Sequence, residues 1–287
     1  MQAGAQPIPK VGTGVIERIE NFPSKHVAPR NVDVWLPHGY STQRSYNVLY
    51  MQDGQMLFDA TTTWNKQAWN VHLTVDRLVK EGRIPDTIVV GVWNNGKYRH
   101  AEYYPEKFLP YVIESFRGKF IDKALHGKPL ADSYLRFLVE ELKPEIDRKY
   151  PTRSGRANTF VMGSSMGGMI SIYAMNEYPH IFGGAAGLST HWMGAMQPNS
   201  TLPLAAFNYL RDHLAAPAGH RLYMDHGTTE LDAGYAPYQV FIDEIVRDRG
   251  YTSSNWVSRR FEGTGHNERE WAKRLEIPIL FLMAGSQ

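Results

Sequence analysis

Apolar and polar positions along the chain fall into two kinds of block, short continuous apolar runs and stretches with helical spacing, and the two kinds alternate. Val48-Leu49-Tyr50-Met51, Thr87 to Trp93 and Thr159-Phe160-Val161-Met162 are short β-favouring runs, the pattern of central strands in a parallel sheet covered on both faces. Val71, Val75, Leu78 and Val79 share one helical face, closed by Gly82 and Pro85,. Leu135, Leu138, Val139, Leu142 and Ile146 mark a second helix, with a kink expected near Pro144,. Met166, Met169, Ile170, Tyr173 and Ala174 mark a third, stopped by Pro179,. Further on come a small-residue strand, Gly183 to Leu188, and a loop from Met193 to Pro203 before a helix near Leu204 to Leu214. Then follow a strand at Arg221 to Met224, a helix through Tyr238, Phe241, Ile242 and Ile245, an alternating strand Trp256 to Phe261, and a helix Glu268 to Leu275 before an apolar tail. At the front, Val11 to Ile19 and Val32 to Leu36 read as strands of a leading antiparallel portion,. Asn94 to Lys128 is aromatic-rich and poorly periodic, so it is expected as a long excursion over the carboxyl edge of the sheet that forms a binding wall. Strands alternating with helices throughout predict one doubly wound α/β domain, 1–287, with a mostly parallel central sheet, helices on both faces and a flexible segment at 1–10,.

Composition narrows the function classes. Hydrophobic residues make up 43% and charged residues 21% of 287, ordinary values for a globular chain with a sizeable core. A net charge of +2 with interspersed signs provides no basic face for nucleic acid, so no such partner is expected. No apolar run reaches the roughly 18 residues of a membrane span, and no membrane partner is expected. MQAGAQPIPK lacks the charged and apolar regions of a signal peptide,; cytoplasmic, periplasmic and secreted locations all stay open. The absence of cysteine excludes disulfides, thiolate metal sites and a cysteine nucleophile. No H-E-x-x-H or comparable ligand pair is present among the 11 histidines, so no metal is expected.

The chemistry is concentrated where the third strand meets its helix. Gly163-Ser164-Ser165-Met166-Gly167 matches G-x-S-x-G, in which a sharply turned backbone lifts the serine clear of the sheet at a helix N-terminus. By register the nucleophile is Ser165, not Ser164. A serine hydroxyl needs a general base, and the base an orienting acid. His266, in Glu262-Gly263-Thr264-Gly265-His266-Asn267-Glu268 beyond the last strand, is the expected base. His26, His38, His72, His126, His180, His213 and His220 lack such a setting. After the strand at Arg221 to Met224, Asp225, Glu230 and Asp232 compete for the acid. Asp225 is expected to be tied to the strand end, and Asp232 is preferred over the alternative acid Glu230 because a shorter side chain fixes an imidazole more tightly. The N–H groups of Met166 and Gln55 are the expected oxyanion donors. His191, Trp192, Arg99 and Tyr103 lie in loops expected at the same edge and are proposed as substrate walls.

In combination the stretches YMQDGQMLFD, EELKPEIDRKYPT, GSSMGG, DHGTTELDAGYAPYQ and GTGHNEREW resemble the esterase family that includes enterochelin esterases, feruloyl esterases and S-formylglutathione hydrolase, a branch of the α/β-hydrolases. The resemblance covers most of the chain from Val32 onward. It implies a cofactor-free serine carboxylesterase working through an acyl-enzyme on a short-chain, aryl or carbohydrate-linked ester, with Ser165 as nucleophile, His266 as base and Gln55 and Met166 as oxyanion donors. The acid stays open between Asp232 and Glu230. Two alternatives stay open as well, an acyltransferase like the antigen 85-type mycolyltransferases, which share this fold and elbow, and a non-catalytic ligand-binding protein. Oligomeric state is left open.

Overall fold

The computed structural model describes residues 6–283. In chain order the elements are β1 (Val15–Phe22), β2 (Arg30–Leu36), β3 (Asn47–Gln52), α1 (Val71–Lys80), β4 (Thr87–Val92), α2 (Arg99–Tyr103), α3 (Glu114–Ala124), α4 (Ala131–Arg136), α5 (Lys143–Lys149), β5 (Thr159–Ser164), α6 (Met166–Glu177), β6 (Gly184–Leu188), α7 (Thr201–His213), β7 (Arg221–His226), α8 (Ala236–Asp248), β8 (Trp256–Arg260), α9 (Glu268–Arg274) and α10 (Glu276–Met283). The strands form an eight-stranded sheet in the order β1-β2-β4-β3-β5-β6-β7-β8. The pairings β1/β2 and β2/β4 are antiparallel, and every later pairing is parallel.

Alternation along the central strands divides the core between the two faces of this sheet. Val48, Tyr50 and Val161 point into one apolar cluster with residues of α4 to α8. Leu49, Met51, Phe160 and Met162 point into the other with α1, α9 and α10. A strand buried on both faces has no polar side to show, and this is why β3, β4 and β5 read as continuous apolar runs. Two glycines permit close approaches that the site needs. A Cβ on Gly163 would lie 2.6 Å from the Gly167 carbonyl group, and one on Gly54 would lie 2.4 Å from the carbonyl carbon of Gly91.

Several elements differ from the sequence reading. The first strand starts at Val15, not Val11. The stretch 94–128 is not a loose wall: it holds α2 and α3, and its Tyr103, Tyr104, Phe108, Leu109, Val112, Phe120 and Leu125 are buried core. These side chains are covered from several directions, so they leave no single apolar stripe for periodicity to detect. The helix at Pro144 does not simply kink. A π-helical stretch, Phe137–Leu142, joins α4 to α5, and Pro144 is the second residue of α5, directly after that stretch. The apolar tail is helical, as α10. At the N-terminus, residues 1–5 lie outside the described residues. Part of the segment expected to be flexible is anchored, because the Lys10 N–H donates to Asp59 at 2.9 Å and the Arg18 guanidinium donates to the carbonyls of Gln6 and Pro7.

Candidate active site

The carboxyl ends of β3, β5, β6, β7 and β8 point the same way, and the loops leaving them converge. Ser165 stands between β5 and α6 at φ 56° and ψ −125°, a left-handed conformation that a residue with a side chain holds only under constraint. The constraint is local: the Ser165 N–H donates to the Leu188 carbonyl at 2.9 Å, and its own carbonyl accepts from the N–H groups of Met169 and His191, each at 3.2 Å. Gly163 and Gly167 pack against each other beneath it. The side chain is thereby presented at the N-terminal end of α6, where the first N–H groups of a helix lack intrahelical acceptors. Among the described residues, no acceptor in the protein meets the N–H of Met166 or of Gln55. Gln55 follows β3 in a short turn, with its side-chain oxygen accepting from the Asn94 N–H at 3.1 Å.

His266 lies on the loop after β8, and its Nδ1 is 2.6 Å from Oδ1 of Asp232. Asp232 is fully enclosed, and its other oxygen accepts from the Gly227 N–H at 2.6 Å and from Oγ of Ser189 at 2.5 Å. Burial alone would push the Asp232 carboxyl up, but hydrogen bonds from His266, Ser189 and the Gly227 N–H outweigh it and hold the group below the ordinary aspartate range,. Ser189 in turn accepts from Nε1 of Trp271 at 2.9 Å and from Arg274 at 3.0 Å. Arg274 is itself paired with the buried Asp225 at 2.9 Å, so Asp225 serves the strand end and not the histidine.

Glu230 takes a different post. Its carboxylate accepts from the backbone N–H of His266 at 2.8 Å and from the Asn267 side chain. It therefore clamps the loop that carries the histidine and leaves the ring to Asp232. Asn267 caps α9 by accepting from the Glu270 N–H at 3.1 Å,. The rings of Trp271 and Tyr235 meet the His266 ring edge-on at 5.0 and 5.8 Å between centroids. Among the described residues no hydrogen bond closes between the side chains of Ser165 and His266, whose Nδ1 is taken by Asp232.

Of the four residues expected as substrate walls, three are buried. Tyr103 is buried, and its hydroxyl accepts from the Asp53 N–H at 3.3 Å. Trp192 is buried with its Nε1 donating to Gln239 at 3.1 Å. His191 is buried against Tyr235, with Nδ1 2.7 Å from the phenol oxygen. Arg99 alone keeps a partly exposed side chain, and Asp53 holds it by paired bonds of 2.7 and 2.8 Å. Sequence reasoning missed Tyr235, Ser189, Arg274 and Asp53. None carries a local motif, and each is joined to the site only by the fold.

A family model described as "Putative esterase" matches residues 27–277. The chain belongs to this esterase family. It is 25% identical over 274 residues to an endo-1,4-beta-xylanase/feruloyl esterase of Xylanibacter ruminicola, covering 93% of this chain but 31% of that protein. It is 28% identical over 156 residues to the ferri-bacillibactin esterase BesA of Bacillus subtilis, covering 51% of this chain and 49% of that one. The chain thus spans half or less of the length of these two curated relatives. Among solved structures, a ferulic acid esterase from Anaeromyces mucronatus superposes with a TM-score of 0.65 at 19% identity over 96% of this chain and 92% of its own. The enterobactin esterase of Shigella flexneri superposes with a TM-score of 0.68 at 17% identity over 98% of this chain and 63% of its own. The esterase family member described here therefore has the α/β-hydrolase fold.

Proposed function

We propose that this esterase-family chain is a serine carboxylic ester hydrolase that works through an acyl-enzyme, without cofactor or metal. The observation that carries the reading is the buried Asp232 carboxylate 2.6 Å from Nδ1 of His266, on the loops that flank a serine held in a left-handed elbow at a helix N-terminus. Asp232 fixes the tautomer in which Nε2 is bare and can accept a proton. Ser165 Oγ attacks the ester carbonyl while its proton passes to His266 Nε2. The N–H groups of Met166 and Gln55 receive the oxyanion, and the imidazolium returns the proton to the departing alkoxide. Water then enters by the same path and frees the acid, restoring Ser165. The substrate is a small-molecule or carbohydrate-linked ester with a short-chain or aryl acyl group. The feruloyl and ferulic acid esterases among the similar proteins support an aromatic acyl group.

The test is hydrolysis of a p-nitrophenyl acyl series and methyl ferulate by wild type, Ser165→Ala and His266→Ala, with mass spectrometry of the quenched wild-type reaction. Turnover by wild type, a mass increment of one acyl group on Ser165, and loss of turnover in both variants are expected. A Ser165→Ala protein that still turns over would reject the reading. Transfer to an added alcohol without release to water would point to an acyltransferase.

A further inference from the structure

The two N–H groups proposed to receive the oxyanion come from separate loops, so their spacing has to be held across the sheet. Met166 opens α6 after β5, and Gln55 belongs to the turn Gly54–Met56 after β3. Asp53 starts that turn in the left-handed region, at φ 56° and ψ 46°, a conformation that aspartate and asparagine enter more readily than most side chains. Its carbonyl accepts from the Met56 N–H at 2.8 Å. Its carboxylate turns toward the elbow, where a Cβ on Gly167 would lie 3.1 Å from Asp53 Oδ2. A side chain of the β3 turn therefore rests on the first turn of α6, one residue beyond Met166.

The stretch expected as a wall supplies the clamp. Arg99 donates from Nε to Oδ1 of Asp53 at 2.7 Å and from a terminal nitrogen to Oδ2 at 2.8 Å, the forked pairing that fixes a carboxylate in direction as well as in place. Asn94 donates its side-chain amide to the same Oδ1 at 2.7 Å, while its backbone N–H donates to the Gln55 side-chain oxygen at 3.1 Å. Asn94 thus straps residue 53 to residue 55 across Gly54, which is itself pressed against the Gly91 backbone. The Asp53 N–H donates to the Tyr103 hydroxyl at 3.3 Å, and the Arg99 guanidinium lies over the Tyr103 ring, 5.1 Å from its centroid. Every polar group of Asp53 is engaged. A bare carboxylate in this position would oppose the charge that develops on the oxyanion, and the guanidinium offsets it.

We propose that Asp53, held by Arg99 and Asn94, is a positioning residue that sets the Gln55 N–H against that of Met166. Arg99 then serves the reaction through Asp53 and not as a contact of the ester. This rests on the reading of Ser165 as nucleophile and of these two N–H groups as oxyanion donors.

The test is steady-state hydrolysis of p-nitrophenyl acetate by wild type, Ser165→Ala, Asp53→Asn, Arg99→Lys and Asn94→Ala, with a urea melt on each preparation. Asp53→Asn keeps the shape and the left-handed turn but loses the charge that grips Arg99. Arg99→Lys keeps the charge but has no fork. Asn94→Ala cuts the strap and leaves the ion pair whole, so it decides the matter if either of the other two fails to fold. Each of the three should lower kcat about tenfold to a hundredfold with KM within about twofold of wild type, because a misplaced donor is felt in the transition state and not in the bound ester. A lowered urea midpoint with kcat unchanged is what a merely structural ion pair would give, and it overturns the proposal. A raised KM at unchanged kcat overturns it as well, by making Arg99 a contact of the substrate. Turnover by Ser165→Ala, or an inert wild type, removes the serine esterase reading and the proposal with it. An inert Ser165→Ala beside fully active variants of Asp53, Arg99 and Asn94 removes the proposal alone.

Discussion

Glu230 and Asp232 both hold His266, the first by its backbone N–H at 2.8 Å and the second by Nδ1 at 2.6 Å. The two carboxylates divide the task of fixing one histidine, and their substitutions should separate accordingly. Asp232→Asn loses the tautomer control and the charge opposite the imidazolium, and kcat should fall roughly 10³- to 10⁴-fold. Glu230→Gln retains an acceptor for the loop and should lower kcat by about tenfold or less, the share of a weakened charge-assisted hydrogen bond. Steady-state kinetics on one good ester decides this, and equal losses would show that the division is wrong.

Ser189 is the joint between the acid and a buried ion pair. It donates to Asp232 and accepts from Trp271 and Arg274. Ser189→Ala leaves those two donors without their acceptor and removes one donor from the carboxylate, at a cost of about 2 kcal/mol in stability. A fall in kcat with little change in KM should accompany it, read from urea melts and kinetics on the same preparation.

Gly163→Ala should be far more damaging than its size suggests. The added methyl would lie 2.6 Å from the Gly167 backbone, and backbone on both sides of the elbow has nowhere to yield. A loss of about 1–3 kcal/mol or more is expected, together with loss of activity as Ser165 is displaced. Gly155→Ala meets open space and is the control that should leave urea midpoint and activity unchanged.

Acid should weaken the fold through His191. The imidazole titrates at 6.5 in its ordinary state but near 4 in the fold. Below about pH 6.5 the unfolded chain therefore binds a proton that the native chain refuses. Stability is full above that pH, is lost as pH falls toward 4, and loses nothing further from this group below it; the total is roughly 3 kcal/mol. Burial lowers His72 and His100 as well, so they act in the same direction. Urea melts between pH 7 and 4 should show a shallower slope for His191→Gln than for wild type.

The elbow serine and the histidine beside Asp232 were legible because their signals are local. Ser165 sits in a strand, a glycine turn and a helix that are contiguous in sequence, and His266 sits between a strand end and a capped helix. The central strands were legible for the same reason, each being a short run with no polar side. The choice between Asp232 and Glu230 was a preference from side-chain length, and the deciding feature is conformational: Glu230 takes φ 54°, which turns its carboxylate to the backbone of the next loop. The burial of Tyr103, Trp192 and His191 was not legible, because an aromatic in a loop looks the same in sequence whether the fold covers it or leaves it bare. Ser189 and Arg274 are 85 residues apart, and no spacing rule connects them.

Strand order also has a consequence in time. The elbow serine follows β5 at the middle of the sheet, whereas Asp232 and His266 hang from loops that follow β7 and β8, the latter at the sheet's edge. During synthesis the ribosome releases Ser165 about a hundred residues before His266. A nascent chain can assemble β3, β4 and β5 and still be inert, until the last strand docks and α9 closes over His266. Recovery of turnover during refolding would therefore time the arrival of the final edge strand, while far-ultraviolet circular dichroism would time the rest.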